Sequence, residues 1–205
     1  MKSLFLTFIT LLTIVTVSTT SASAATNNTN DNTKTGTLVT EAANFSKIEV
    51  RGNVAVYITN GEANTVRVYN NYYGESALVQ NQNGVLRISS YAKDQLVVYV
   101  TAAELRALSV YDNAVVKSYD RFSSIELDVN LYNNATAQLN LEAYQATINV
   151  NDRAKADLSG NVTQCNMNIN QASTVNSTNF MAEHLTKNMF GKPDAAKATG
   201  ELAII

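Results

Sequence analysis

A single cysteine, Cys165, rules out an intramolecular disulfide framework, so the folded chain must be held by its core. The single proline, Pro193, sits outside every strand-like stretch, which is where a sheet protein keeps it. The single histidine, His184, has no Cys or His partners with metal-ligand spacing, so no metal site is expected. Charged residues make up only 16% of the chain and the net charge is −2. That balance offers no basic patch for nucleic acid and no polybasic membrane signal. Phosphate-loop, dinucleotide and EF-hand spacings are all missing, and with them the cofactors they would bind. Helical signals are scarce: residues 102–107 suit one helical turn or a β-helix corner, and 181–188 suit a short terminal helix.

Long hydrophobic runs are missing too, with one exception. Residues 4–17 are mostly apolar, follow the positively charged Lys2, and precede the small-residue site Ala22-Ser23-Ala24. This is the layout of a secretory signal peptide over residues 1–24, and it falls short of the ~20 apolar residues of a membrane span. The chain is expected to be exported, to the periplasm or to the cell surface and beyond, with no membrane span. Residues 25–36 are Asn/Thr-rich and almost devoid of apolar side chains, which predicts a flexible leader. The ordered domain is expected over 37–205, with 185–205 as a C-terminal cap whose last residues, Leu202-Ala203-Ile204-Ile205, are apolar.

What the chain does have is a recurring pattern: two alternating apolar residues, a polar turn pair, then alternating small residues. It opens as Ile48-Glu49-Val50-Arg51-Gly52-Asn53-Val54-Ala55-Val56. It returns at Leu108-Ser109-Val110, Val129-Asn130-Leu131, Ile148-Asn149-Val150 and Met167-Asn168-Ile169, with starts 21, 19 and 19 residues apart. Strand alternation at such a period predicts an all-β, single-domain, parallel β-helix-like solenoid with ~20-residue coils, each burying its inward face against its neighbours. The turn column reads Asp112, Asn133, Asp152 and Asn170, followed by Asn113, Asn134, Arg153 and Gln171. Short polar residues there bond their own backbone and accept left-handed φ, and 26 asparagines make side-chain ladders along the axis plausible. Small residues (Ala114, Ala135, Ala137, Ala154, Ala156, Ala172) point inward.

Further strand signals fall at 47–50, 54–59, 65–69, 77–80, 85–89, 95–101 and 108–111, with turn signals at Asn60-Gly61 and Asn83-Gly84. Residues 45–107 therefore fit either hairpins or longer coils.

Candidate chemistry is sparse. Asp112, Asp120, Glu126, Asp128, Asp152 and Asp157 are the carboxylates a polysaccharide-acting enzyme on this fold would draw on. Asp112 and Asp152 share a column but stand two coils apart, roughly 10 Å, and read better as turn residues. Cys165 lies beside the pattern of Met167 and Ile169 and reads as a packed or edge thiol rather than a nucleophile. The ten tyrosines all lie between Tyr57 and Tyr144. Tyr111 and Tyr132 share a column just before the turn and point outward, which makes them the candidate ligand-binding residues for a sugar face or a partner's apolar side chain. The competing account is that Tyr is a good strand residue on a half-exposed face. Tyr69, Tyr72 and Tyr73 are candidates to extend the patch.

The run Phe45-Ser46-Lys47-Ile48-Glu49-Val50-Arg51-Gly52-Asn53-Val54-Ala55-Val56 resembles the opening of the DUF2807 family, described as a "putative autotransporter adhesin head domain (GIN domain)". Asn83-Gly84-Val85-Leu86-Arg87-Ile88 resembles its second stretch, and the later column resembles its C-terminal repeats, so the likeness spans roughly residues 37–198. The family's Gly-rich turns are mostly replaced here by Asp-Asn, Asn-Asn and Asp-Arg pairs. Only Ser159-Gly160 keeps that flavour, which marks a divergent member. The resemblance implies a secreted, β-helix-like envelope domain, adhesin-like and without catalytic residues. The expected role is therefore non-catalytic, with a surface glycan or envelope protein as partner. The alternatives are a polysaccharide-acting enzyme with a carboxylate site, or an assembly module that pairs through its C-terminal edge.

Overall fold

The computed structural model describes residues 37–39, 44–69 and 77–191. The expected signal peptide (1–24), the leader (25–36) and the last part of the expected cap (192–205) lie outside the described residues, as do Tyr72 and Tyr73. Among the described residues every regular element is a strand; of the two stretches expected to suit helical turns, 102–107 is a bend at 103–106 between two strands, and 181–188 lies within a strand.

The strands alternate buried and solvent-facing residues, as sequence alternation dictates. In β11 (Thr136–Val150), Ala137, Leu139, Leu141 and Ala143 are buried, then Ala146, Ile148 and Val150. Two successive residues, Tyr144 and Gln145, turn away from the core between these sets. The same slip separates Val162 from Cys165 in β12 (Lys155–Asn170), and Ser124 from Leu127 in β10 (Phe122–Leu131). This phase slip lets one bent strand serve two walls around a single apolar core.

Neighbouring strands repeat this path in parallel. Val129 pairs with Ile148, and Ile148 with Met167. β12 pairs in parallel with β13 (Thr174–Phe190), where a bulge between Asp157 and Ser159 shifts the register by one. β8 (Ala107–Val110) and β9 (Val115–Ser118) add to β10 and β11 in parallel, so the repeat foretells the pairing through this part of the chain.

The sheet as a whole is mixed, which corrects the expectation of a wholly parallel solenoid. Its thirteen strands include antiparallel pairings of β1 (Thr37–Val39) with β4 (Thr65–Tyr69), β4 with β7 (Leu96–Ala102), and β5 (Ala77–Gln82) with β6 (Val85–Ser90). Chain order also departs from stacking order. β2 (Lys47–Gly52) lies between β6 and β8, and β3 (Val54–Asn60) between β7 and β9. Asn83-Gly84 makes the expected tight hairpin, with φ of 53° and 76°. Asn60-Gly61 does not: β3 and β4 flank β7 rather than pair with each other. Of the three antiparallel pairs only β5–β6 is closed by a tight turn; β1–β4 and β4–β7 pair across long connections.

The turn column forms a hydrogen-bond ladder. Asp112, Asn133 and Asp152 hold left-handed φ of 61°, 59° and 55°. Gly52 N–H donates to Asp112 Oδ2 (3.2 Å), Asp112 N–H to Asn133 Oδ1 (3.2 Å), and Asn133 N–H to Asp152 Oδ2 (2.8 Å). Because Val150 pairs with Ile169, the next rung of this column is Gln171, not Asn170 as expected. Asn170 instead accepts from Ala172 N–H (2.9 Å), and Ala172 is exposed rather than inward-facing. A second ladder runs along the outer face, with Asn149 donating to Asn130 (2.8 Å), Asn168 to Asn149 (2.7 Å) and Asn188 to Asn168 (3.1 Å).

Candidate functional site

Val50, Val110 and Leu131 are buried, so the residue after each faces outward. Parallel register sets Val50 beside Val110 and Val110 beside Leu131, which brings Arg51, Tyr111 and Tyr132 into one row on three adjacent strands. The backbone locks this row: Tyr111 N–H donates to Val50 O and Tyr132 N–H to Val110 O, both at 2.9 Å. The Tyr111 and Tyr132 rings stack with centroids 4.8 Å apart and planes 6° apart. The Arg51 guanidinium lies 3.8 Å from the Tyr111 ring centroid. Such a ring pair contributes about 0.5–1.5 kcal/mol, and an exposed cation–π contact about 0.5–1 kcal/mol.

The structure thus brings together the two tyrosines that the sequence singled out, and it adds Arg51. It also sets their presentation: Arg51 and Tyr132 stand against Tyr111 from the two neighbouring strands, which leaves its edge and phenol tip as the open part of the ring. Beside the row, the Tyr91 hydroxyl donates to Asp112 Oδ2 (3.1 Å). That hydrogen bond, followed by partial desolvation and the Asp112 charge, raises the Tyr91 phenol above its ordinary 10.0, while Arg51 pulls the other way.

A family model described as "Putative auto-transporter adhesin, head GIN domain" matches residues 44–204. The chain belongs to this family, DUF2807. A "putative adhesin" from Bacteroides fragilis shares the fold at 14% identity, with a TM-score of 0.65 and coverage of 77% of this chain and 78% of that one. A "putative adhesin" from Parabacteroides distasonis is 18% identical over 76% of this chain and 77% of that one, with a TM-score of 0.56. A "putative lipid binding protein" from the same organism is 10% identical over 76% and 78%, with a TM-score of 0.56. At these identities the likeness is one of fold. Comparison with curated proteins finds no match.

In this GIN domain the remaining candidates are dispersed. Asp112 and Asp152 accept backbone N–H groups of the turn ladder, and Asp157 accepts from Asn176 Nδ2 (2.9 Å). Asp120 and Asp128 are exposed. Glu126 lines a cleft of about 730 Å³ at the bend, together with Glu104 and Glu142. Those two are ion-paired with Arg106 and Arg121. His184 is exposed on β13 opposite Gln164.

Cys165 is a packed thiol, one of the two placements expected, and is buried in phase with Met167 and Ile169 rather than outside their row. Burial pushes its thiol from 9.0 up to about 11, so it is protonated and a poor nucleophile at neutral pH. We expect a disulfide reagent at pH 8 to label it only on unfolding; rapid labelling of the folded protein would contradict this placement. Its raised value also contributes stability that is complete below pH 9 and lost as pH climbs toward 11.

One aromatic group went unread in the sequence. Tyr69 does not extend the Tyr111–Tyr132 row; it sits edge-on to Tyr99 (5.1 Å, 71°), which stacks on Tyr57 (4.8 Å, 15°). The available signal was a shared apolar–Tyr–apolar triplet, Val56-Tyr57-Ile58 and Val98-Tyr99-Val100. The two triplets stand 42 residues apart with β4, β5 and β6 between them, so chain order does not reveal the pairing of β3 with β7.

Proposed function

We propose that this chain is an exported, non-catalytic binding protein of the cell envelope, and that Tyr111 and Tyr132 contact its ligand, a surface glycan or envelope protein. The row Arg51–Tyr111–Tyr132 carries this reading: it is an outward aromatic column fixed by backbone register, which costs little ordering entropy on binding. The adhesin label of the family and of two structural neighbours supports the same direction. We take the parallel rungs from β8 to β13 as a short β-helix-like solenoid, closed at its other end by antiparallel strands. Their 19- to 20-residue offsets from β10 onward support that view. Export through segment 1–24 would bring the tyrosine face to the envelope. The test is binding to an array of glycans and envelope polymers by the wild type and by a Tyr111→Ala/Tyr132→Ala variant. We expect the variant to lose about tenfold or more in affinity, the scale for removing interface aromatics. Equal binding by both proteins would remove the column from the site.

A second reading, assembly through the C-terminal edge, is favoured by one observation: Met181, Leu185, Met189 and Phe190 are all exposed on β13, which among the described residues pairs only with β12. Lys187 occupies the column of the buried Met167, a charge that blunts indiscriminate strand pairing. Light scattering tests it. Wild-type oligomers that a Leu185→Lys/Met189→Lys variant lacks would support assembly; a wild type monomeric at all concentrations would end it.

A further inference from the structure

We infer that the tyrosine cleft over β3, β4 and β7 is a second binding site, for a saccharide that carries an anionic group. This rests on the binding role proposed above and goes beyond it by naming a separate surface and a ligand class. Register places Arg67 beside Tyr99, Tyr99 beside Tyr57, and Tyr57 beside Lys117, so two cations bracket two stacked rings in a single outward row. At the ~4.8 Å spacing of strands, the cations are roughly 14 Å apart, a span that suits an oligosaccharide rather than one small ion. Tyr69 braces Tyr99 edge-on, which pre-organises the aromatic wall. The cleft encloses about 670 Å³, within the range of small-ligand sites, and the exposed Tyr119 stands at its rim.

The polar chemistry selects the ligand. Thr59, Thr65 and Thr101 add hydroxyls that match sugar hydroxyls, and the tyrosines offer apolar ring surface to sugar C–H groups. No carboxylate lines this cleft, and Arg67 has no ion-pair partner among the described residues. Arg87, Arg106 and Arg121, by contrast, are each paired with a glutamate, while Arg51 lies on the Tyr111 ring and Arg153 donates to Asn134 Oδ1. A guanidinium without a carboxylate partner among the described residues is a fork left for an incoming carboxylate or sulfate, which it would grip bidentately.

The experiment is calorimetric titration of the full mature protein with oligogalacturonate, with dextran sulfate, and with a neutral galactose oligomer. Wild type, Arg67→Gln, Tyr57→Ala/Tyr99→Ala and Tyr111→Ala/Tyr132→Ala are compared, each checked for a cooperative melt. We expect an anionic oligomer to bind, with the carboxylate and sulfate arms showing which group is preferred. Arg67→Gln should weaken that binding about tenfold or more, the scale of a lost charge-assisted pair, and the Tyr57/Tyr99 variant should abolish it. The Tyr111/Tyr132 variant should leave it intact. Unchanged anionic binding by Arg67→Gln overturns the inference, as does loss in the Tyr111/Tyr132 variant alone. A neutral oligomer bound as tightly as the acidic ones overturns the inference but leaves a binding role standing. Binding of none of these probes, together with a blank array, removes both.

Discussion

Replacing Gly160 with valine is expected to cost about 4 kcal/mol, a large part of the 5–15 kcal/mol that holds a typical domain together. Gly160 lies within β12 at φ 97°, in the left-handed region where a β-branched residue is most strained. Space is the larger obstacle. A Cβ there would collide with the Leu141 carbonyl oxygen and sit 2.8 Å from Asn140 Oδ1, and Leu141 is the register partner on β11. Relief would require the two strands to part. Gly84 is the control: its φ is 76°, yet nothing lies within 4 Å of the corresponding Cβ. Gly84→Ala should therefore show backbone strain alone, about 1 kcal/mol. Urea unfolding followed by circular dichroism measures both. Similar losses at the two sites would mean that strand contact at Gly160 is not what constrains it.

Ile148→Ala is expected to cost about 3–4 kcal/mol, through lost burial and a cavity that its neighbours cannot fill. Ile148 is fully buried between Val129 and Met167 in the inward row of three parallel strands. The next residue, Asn149, faces outward and holds two rungs of the asparagine ladder, at 2.8 and 2.7 Å. Asn149→Ala removes both but leaves half-exposed groups that water can satisfy, so about 1–2 kcal/mol is expected. The inward apolar row, rather than the outer ladder, is the main source of cohesion. The same denaturation series decides it: a larger loss at Asn149 than at Ile148 would reverse the order.

The sequence was most legible where the chain repeats itself. The spacing of Leu108, Val129, Ile148 and Met167 foretells their register, and with it the stacking of Tyr111 on Tyr132. It was least legible before Leu108, because β2 and β3 are inserted between later strands, and Ile48 pairs with both Leu86 and Leu108. A periodicity search reads neighbours in chain order, and here the neighbours in space are out of order. The Tyr57–Tyr99 stack was hidden for that reason. The misplacement of Asn170 has a smaller cause: the final turn has Gln171 where the others have Asp112, Asn133 and Asp152, so residue type favours the neighbouring Asn170 although the 19-residue spacing from Asp152 already falls on Gln171. Residues 181–188 pass for a helix because Met, Ala, Glu, Leu and Lys are good helix formers, yet pairing with β12 holds them extended.

Retention without turnover is the central claim, and one measurement tests it most directly. The wild type is incubated at length with whichever polysaccharide it retains, and the chain-length distribution of that polymer is then determined. Binding alone predicts a polymer recovered at its original length. Progressive shortening, abolished by Glu126→Gln in the cleft at the bend or by Asp112→Asn in the turn column, would contradict the account and make this an enzyme.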